Sequence, residues 1–305
     1  MNVLRKLYKE LTSLHWEIGF LDNTFEGIVK GDELKLTLVT HNFPNSWFAD
    51  PFILDVTEDT IIVLVEEVTK KISKGRISKL VIDRRNNYVI EKKVILERPG
   101  HLSFPIIYRK DDKIYVYPEN SEDGVLNIYE YNPINDDMTL IHELSDKPLT
   151  DAVFTDLFGK PQLFTTQAEY ANGFQLDQYE WSDTKQKFVY VTSNIFPERI
   201  ARMAGYFFKV NGRVYRPAQE SNTNYGHGIS LQETSFVDGK WVFKEVRRMI
   251  SPHFELRQSF HTLNSYKGVI VVDVLGKRYP LASKMVNAVA ALVKRALKKI
   301  NCYEI

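Results

Sequence analysis

The residues best suited to do chemistry in this sequence of 305 residues are acids in short segments of similar layout. Asp50 lies in Trp-Phe-Ala-Asp-Pro-Phe, Glu119 in Tyr-Pro-Glu-Asn-Ser, and Asp151 in Thr-Asp-Ala-Val-Phe. Glycosyl transfer needs one carboxylate as base or nucleophile and a second, partly protonated carboxyl group for the leaving or attacking oxygen. A third acid can orient the substrate or tune a neighbouring pKa. We therefore predict Asp50 as the base or nucleophile, with Glu119 and Asp151 sharing the acid and orienting roles.

A second set of residues offers donors for sugar hydroxyls or a phosphate and flat rings for a sugar to stack on. The predicted substrate-binding residues are Trp47, His101, Arg202, Arg216, Gln219, Glu220, Tyr225 and His261. Each type also has a purely structural interpretation. An Asp before Pro commonly opens a turn, a strand-end Glu is commonly solvated, the two arginines could pair with nearby acids, and His261 could be a hydrogen-bonded core histidine.

The elements that must position these residues follow a repeat. Five segments each combine a short apolar strand, a turn and a second strand that ends in a polar group. Their equivalent positions are Asp50, Phe104, Asp151, Ala204 and His261, at intervals of 54, 47, 53 and 57 residues. A period near 50 residues with three or four strands per unit is typical of a β-propeller blade. The prediction is an all-β, five-bladed β-propeller whose funnel gathers the polar groups; the alternative is a β-sandwich with chance spacing.

The ends of the chain have different predicted roles. The fifth repeat lacks strands, so residues 16–21 and 34–39 are predicted to complete it. Helices are predicted at Val3–Leu14 and Leu281–Ile300. The predicted organisation is residues 1–40 for the first helix and closing strands, 41–279 for the propeller, and 280–305 for a C-terminal helix.

The C-terminal helix is amphipathic and basic. Residues 277–299 contain seven Lys or Arg and no acid, in a chain whose formal net charge is +1. Such a helix commonly lies on an anionic membrane surface. The prediction is that residues 281–300 bind such a surface; the alternative is a helix packed on the flank of the propeller.

Other classes of function lack their sequence signals. Cys302 is the single cysteine, so no intrachain disulfide can form, and no zinc-ligand spacing or Asp-x-Asp occurs. No dinucleotide or phosphate loop is present, and no basic patch interleaved with aromatics suits nucleic acid. We predict no metal, no cofactor and no nucleic-acid partner. The absence of an export signal and of an 18-residue apolar stretch predicts a cytoplasmic protein, peripheral on the inner membrane.

Three groups of motifs carry a family resemblance. They are Trp47-Phe-Ala-Asp-Pro-Phe, then His101-Leu-Ser-Phe-Pro with Tyr117-Pro-Glu-Asn-Ser, and Arg202-Met-Ala-Gly with Tyr215-Arg-Pro-Ala-Gln-Glu-Ser and Tyr225-Gly. Residues 40–275 resemble the N-terminal domain of plant glucosamine inositolphosphorylceramide transferase, also found in bacterial surface-polysaccharide proteins. That domain is similar to the five-bladed propellers of the arabinanase/β-xylosidase and invertase/levansucrase glycoside hydrolases.

The resemblance implies a carbohydrate-active site at the funnel. Asp50 matches the first-blade base or nucleophile, and Glu119 and Asp151 match acids at the same mouth. Gln219-Glu220 departs from the Gln-Asp of the family. The predicted function is a glycosyltransferase of bacterial surface-polysaccharide or capsule biosynthesis, acting from a nucleotide-activated donor onto a saccharide near the inner leaflet. The alternatives are a glycoside hydrolase and a non-catalytic glycan-binding propeller.

Overall fold

Five four-stranded antiparallel sheets form the blades of a β-propeller in the computed structural model, which describes residues 8, 11–277 and 280–301. Blade 1 consists of β3 (Ser46–Val56), β4 (Thr60–Thr69), β5 (Arg76–Asp83) and β6 (Tyr88–Leu96). Blade 2 consists of β7 (Ser103–Lys110), β8 (Lys113–Glu119), β9 (Leu126–Asn132) and β10 (Asp137–Ser145). Blade 3 consists of β11 (Leu149–Thr155), β12 (Gln162–Gln167), β13 (Gln175–Ser182) and β14 (Lys187–Ile195). Blade 4 consists of β15 (Phe208–Val210), β16 (Arg213–Glu220), β17 (Gly228–Val237) and β18 (Lys240–Ile250).

Blade 5 is built from both ends of the chain. Its strands lie in the order β19 (Leu263–Tyr266), β20 (Val269–Lys277), β1 (Leu14–Leu21) and β2 (Leu36–Leu38). All eight residues of β1 pair with β20, from Leu14 opposite Lys277 to Leu21 opposite Ile270. The predicted completion of the fifth repeat by N-terminal strands is therefore confirmed.

The burial of the strands explains why the blades pack as a ring. Seven of the eight residues of β16, a second strand, are buried, whereas the outermost strand β18 exposes most of its side chains. A strand buried on both faces needs a neighbouring sheet on each side. Each blade obtains those neighbours only when the ring closes.

Helices of the described residues lie outside the sheets. Helix α1 (Phe25–Lys30) joins β1 to β2, and the Thr24 side chain caps it by accepting from the Gly27 N–H. Helix α2 (Pro280–Asn301) follows β20, as predicted. The predicted helix Val3–Leu14 is wrong at its end, because Leu14 already pairs in β1; most of that segment lies outside the described residues. Among the described residues, no helix combines the length and hydrophobicity that crossing a bilayer requires.

One end of the ring carries the predicted site. In blades 1 to 3 the start of the inner strand pairs with the end of the second strand, as in Ser103 opposite Glu119 and Leu149 opposite Gln167. In blades 4 and 5 the isolated bridges Met203–Ala218 and Ser259–Leu275 keep the same direction. We call this end the mouth face and the opposite end the far face. The predicted catalytic acids all lie at the mouth face, on β3, β8 and β11.

The repeat positions share a backbone distortion in the first three blades. Asp50, Phe104 and Asp151 have φ of +49°, +45° and +45°, and the strand register shifts at each of them. Aspartate tolerates this left-handed conformation, whereas a bulky residue such as phenylalanine rarely adopts it. Ala204 and His261 are not among the residues with positive φ; they precede the regular inner strands of blades 4 and 5, which begin at Phe208 and Leu263.

Candidate active site at the funnel mouth

Carboxylates of one blade accept the backbone N–H groups that the distortions free in the next blade. The Asp50 N–H donates to Asp273 Oδ2 at 2.9 Å, and the Phe104 N–H donates to Asp50 Oδ2 at 3.1 Å. The Asp151 N–H donates to Glu119 Oε2 at 3.1 Å. The predicted acids therefore hold neighbouring blades together at the mouth face.

Side-chain amides complete this circuit of hydrogen bonds around the hub. Gln219 Nε2 of blade 4 donates to Asp151 Oδ2 of blade 3 at 2.6 Å. Between blades 4 and 5, the Tyr206 N–H donates to Asn264 Oδ1 at 3.2 Å. Hydrogen bonds thus join each blade to both of its neighbours, and this fixes the relative positions of the acids.

Arg202 binds two of the three predicted catalytic acids. Its Nε lies 2.5 Å from Asp151 Oδ2, and its Nη2 lies 3.1 Å from Asp151 Oδ1 and 3.2 Å from Glu119 Oε2. A further donation reaches Asn172 Oδ1 at 3.1 Å, and Ser121 Oγ donates to Glu119 Oε1 at 2.8 Å. Arg202 is therefore held in a fixed geometry between blades 2, 3 and 4.

Glu119 has a pKa suited to a general acid. Its burial raises the pKa from 4.5 to about 7; the Arg202 guanidinium opposes this rise, and the nearby Asp151 carboxylate adds to it. A carboxyl group that titrates near neutral pH can donate a proton in one step and accept one in the next. The protonated form of Glu119 is therefore populated at neutral pH.

Arg202, Asp151 and Glu119 form one ionic cluster. His261 is the centre of a second one, with Asp50 and Asp273. Its Nδ1 lies 2.8 Å from Asp273 Oδ2, and its Nε2 lies 3.7 Å from Asp50 Oδ1. Thr262 Oγ1 donates to Asp50 Oδ1 at 2.9 Å. The Trp16 ring stacks on the imidazole at a centroid distance of 4.2 Å and an angle of 21°.

The charges of this cluster depend on one another. Burial by itself lowers the pKa of His261, but the Asp273 and Asp50 carboxylates outweigh it and raise that pKa to about 9. Burial raises the pKa of Asp50 well above its usual range, and the positive His261 opposes the rise. The nearby Asp151 carboxylate also raises the pKa of Asp50, so the two ionic clusters influence each other electrostatically.

Asp50, His261 and Asp273 also have the residue types of a metal site. Among the residues that the structure describes, they are the group whose ligand atoms all lie within 4.8 Å of one another. The Asp273 oxygens, however, already accept from His261 N at 3.2 Å, from Thr262 N at 3.0 Å and from Asp50 N at 2.9 Å. A cation would have to displace these bonds, so the arrangement suits a charged histidine better than a metal.

Tyr225 and His101 border the acids. The Tyr225 ring lies 5.6 Å from the Arg202 guanidinium and 5.3 Å from the His261 ring, and its side chain remains partly exposed. His101 Nε2 pairs with Glu66 at 3.0 Å, while its Nδ1 accepts from the Gly75 N–H. Tyr225 is thus placed to stack against a sugar, and His101 already has a partner at each nitrogen.

Three other predicted substrate-binding residues lie apart from the ionic clusters. Trp47 packs 5.9 Å from the His15 ring, and the buried Glu220 accepts from the Asn222 N–H of its own loop. Arg216 is fully buried within blade 4, where its guanidinium donates to Gln232 and to backbone carbonyls between two phenylalanine rings. Each of its three guanidinium nitrogens already donates inside the protein, so the structure does not bring Arg216 to the funnel.

Two buried amides near the acids have polar atoms without a protein partner. They are both amide atoms of Asn120, which follows Glu119, and Oε1 of Gln219. Unpaired buried polar atoms are costly in a folded protein. Both groups offer hydrogen-bonding capacity beside the acids that the protein itself does not use.

Sequence reasoning did not identify Trp16 or Asp273 as site residues. Trp16 lies in a predicted closing strand, but the strand pattern does not show that its ring stacks on His261. Asp273 lies in the apolar segment Val-Ile-Val-Val-Asp-Val-Leu, and its residue type is the available signal, since a buried acid requires a partner. That partner, His261, is known only from the fold.

Comparisons with known proteins match this architecture. A family model described as glucosamine inositolphosphorylceramide transferase 1, N-terminal, matches residues 36–274. The chain is 27% identical over 215 residues to glucosamine inositolphosphorylceramide transferase 1 of Oryza sativa subsp. japonica. The aligned residues make up 67% of this chain and 28% of the rice protein. The Arabidopsis thaliana protein of the same name is 25% identical over 236 residues, or 74% of this chain and 30% of that protein. The match thus spans less than a third of these plant proteins.

Solved structures share the propeller fold. A GH43 enzyme from Xanthomonas citri gives a TM-score of 0.50 at 11% identity, over 75% of this chain and 86% of the other. An exo-β-1,3-galactanase from Phanerochaete chrysosporium gives 0.50 at 6% identity, over 70% of this chain and 53% of the other. Likeness at this identity establishes the fold, and the resemblance inferred from the sequence motifs is confirmed.

Proposed function

Since this chain belongs to the family of the N-terminal domain of glucosamine inositolphosphorylceramide transferase 1, we propose that it transfers a glycosyl group in the funnel. The observation that carries the proposal is the meeting of Asp50, Glu119 and Asp151 at one mouth. Two of these acids differ in environment. Asp50 lies beside a histidine cation, and Glu119 titrates near pH 7.

The proposed reaction divides the work between these two acids. Glu119, protonated, gives its proton to the oxygen that leaves the anomeric carbon as the bond between them breaks. Asp50, ionised, takes the proton of the acceptor hydroxyl as its oxygen bonds to that carbon. Asp151 and Arg202 position Glu119. Each turnover leaves Glu119 ionised and Asp50 protonated, and a proton exchange with solvent restores them.

Whether the sugar donor is activated by a nucleotide is a separate part of the proposal. A nucleotide-activated sugar carries a diphosphate, which needs cations or backbone N–H donors. Arg202, His261 and His101 are each paired with carboxylates. A diphosphate would have to compete for Arg202 with Asp151 and Glu119, whereas an uncharged saccharide needs no such exchange.

Two other activities fit parts of the site. A glycoside hydrolase would use the same acids with water in place of the acceptor hydroxyl. This alternative is retained because glycoside hydrolases share the propeller fold. A non-catalytic glycan-binding protein is favoured by the ion pairs of Arg202, since paired acids are less free to exchange protons. Bacterial surface-polysaccharide or capsule biosynthesis and a cytoplasmic location remain proposals from the sequence.

A donor screen tests the proposed function. The full chain is incubated with activated sugars and with aryl glycosides, with glucosamine included because the plant relatives carry it in their names. Products are identified by mass spectrometry, with and without saccharide acceptors. Sugar-acceptor adducts are expected, free sugar alone indicates a hydrolase, and saccharide binding without any product indicates a binding protein.

An anionic membrane surface is the second proposed partner. The helical segment 280–301 contains five Lys or Arg and no acid, and apolar side chains recur along it. Attraction to anionic lipids adds to the burial of apolar surface for such helices. The proposal concerns binding to the surface of the bilayer.

Deleting residues 280–305 is expected to release the protein from vesicles of phosphatidylglycerol and phosphatidylethanolamine. The double substitution of Met285→Ser and Val289→Ser is expected to weaken vesicle binding by at least about tenfold, because it removes two exposed apolar side chains. Sedimentation with vesicles measures both. Ile134→Ser, at an exposed apolar residue elsewhere, serves as the control. Unchanged sedimentation of the deletion variant would refute membrane binding through the helix.

A further inference from the structure

Both ends of the described chain leave the propeller on the mouth face. β20 is the second strand of blade 5, and second strands end at the mouth. Its last residue, Lys277, pairs with Leu14, the first residue of β1. Helix α2 starts at Pro280, three residues later, so it begins on the mouth face. This helix also lies beyond residues 36–274, which match the family model.

One side of α2 is attached to the chain and the other is uncovered. Ser283 is buried, and Asn287 Oδ1 accepts from the Tyr8 hydroxyl at 3.0 Å. The uncovered side consists of Leu281, Met285, Val289 and Leu292, whose exposed fractions lie between 59% and 73%. Steps of four, four and three residues place these side chains on one face of a helix, opposite Ser283 and Asn287.

Exposed aromatic side chains lie on loops of the same mouth face. Phe254 is 74% exposed in the loop that leads into blade 5. That loop packs against the root of α2, because a Cβ at Gly276 would lie 2.5 Å from the Leu256 Cα. Phe174 is exposed in the loop that also holds Asn172, the partner of Arg202. Apolar side chains are therefore exposed at two places on the mouth face.

We infer that α2 and the exposed aromatics Phe254 and Phe174 hold the funnel mouth against an anionic lipid bilayer. Charge selects this occupant over a protein, since the helical segment carries five cations and no acid beside its apolar face. The apolar face enters the interface, and the net positive charge of the segment is attracted to the anionic headgroups.

This orientation defines the class of saccharide that reaches the acids. A mouth that faces the bilayer admits a sugar carried on a lipid anchor and hinders a long soluble polysaccharide. The statement about the sugar rests on the proposed function, whereas the orientation does not. A reaction that attaches a saccharide to a lipid would then have to supply the substrate.

Site-directed fluorescence with lipid-borne quenchers tests the orientation. In a Cys302→Ser background, Phe254→Cys places a fluorophore on the mouth face, and Ile134→Cys places one on the far face at a residue that is 89% exposed. The full chain is added to phosphatidylglycerol and phosphatidylethanolamine vesicles that contain spin-labelled lipid. Quenching is expected to be several-fold stronger at position 254 than at position 134, and to disappear without residues 280–305.

Other outcomes would overturn the inference. Equal quenching at both positions, or stronger quenching at position 134, would mean that the mouth does not face the lipid. Quenching in phosphatidylcholine vesicles as strong as in anionic ones would remove the electrostatic argument. Self-association without vesicles, abolished by Met285→Ser with Val289→Ser, would identify a second copy as the occupant. None of these readouts uses turnover, so an inactive donor screen leaves the orientation test intact.

Discussion

Asp50→Asn is expected to lower glycosyl turnover by about 10³-fold, the range for loss of a general base. The amide can neither take the acceptor proton nor attack the anomeric carbon. It also removes a negative charge 3.7 Å from His261, so the pKa of His261 falls from about 9. Initial rates measured with the donor found in the screen, together with an NMR titration of the imidazole, check both effects.

The fold of this variant is expected to survive with a modest loss of stability. Asparagine tolerates the φ of +49°. In the wild-type protein, however, the Phe104 N–H and the Thr262 hydroxyl each donate to one oxygen of the Asp50 carboxylate, so the NH₂ group of asparagine must face one of these two donors. An unpaired buried donor costs about 1–3 kcal/mol. Asp55→Asn, on the same strand but partly exposed, is the matched control. Turnover retained in Asp50→Asn would remove Asp50 from the catalytic residues.

Arg202→Gln is expected to destabilise the protein more than any other single change at the mouth. It leaves Asp151 and Glu119 buried without the cation that binds both, and breaking a buried ion pair typically costs about 3–5 kcal/mol. Chemical denaturation measures the loss. Arg202→Lys keeps the charge without the forked geometry and is expected to lose less. Arg213→Gln, which removes an exposed ion pair, is expected to unfold like the wild type.

The pH dependence of turnover separates positioning from simple stabilisation. Protonated Glu119 is the proposed acid, so turnover falls as the pH rises through about 7. Arg202 lowers the pKa of Glu119, so its loss raises that pKa and moves the falling limb to higher pH. Arg202→Lys is expected to give a smaller shift in the same direction. If Arg202→Gln lowers the stability but leaves the falling limb of the pH profile at the same pH, the role of Arg202 is only structural.

The repeat in the sequence was sufficient to predict the propeller and the location of its acids. Short strands bounded by turn residues, at a period near 50, predicted five blades, and the short fifth repeat predicted the closing strands β1 and β2. Equivalent positions placed Asp50 and Asp151 at one end of the ring, because blades related by rotation present equivalent residues at the same height. The helix predicted to reach Leu14 was wrong there, since pairing with β20 outweighs local helix preference.

The sequence by itself determined the fold class, the number of blades and the end of the ring at which Asp50 and Asp151 lie, because these follow from local alternation and repetition. Only the tertiary structure decided how those acids are held. The Arg202 pairs span 51 and 83 residues, and the contact of Asp50 with the side chain of Thr262 spans 212. Side-chain partners at such separations, like the burial of Arg216 inside blade 4, depend on how neighbouring sheets pack, and no local pattern encodes that packing.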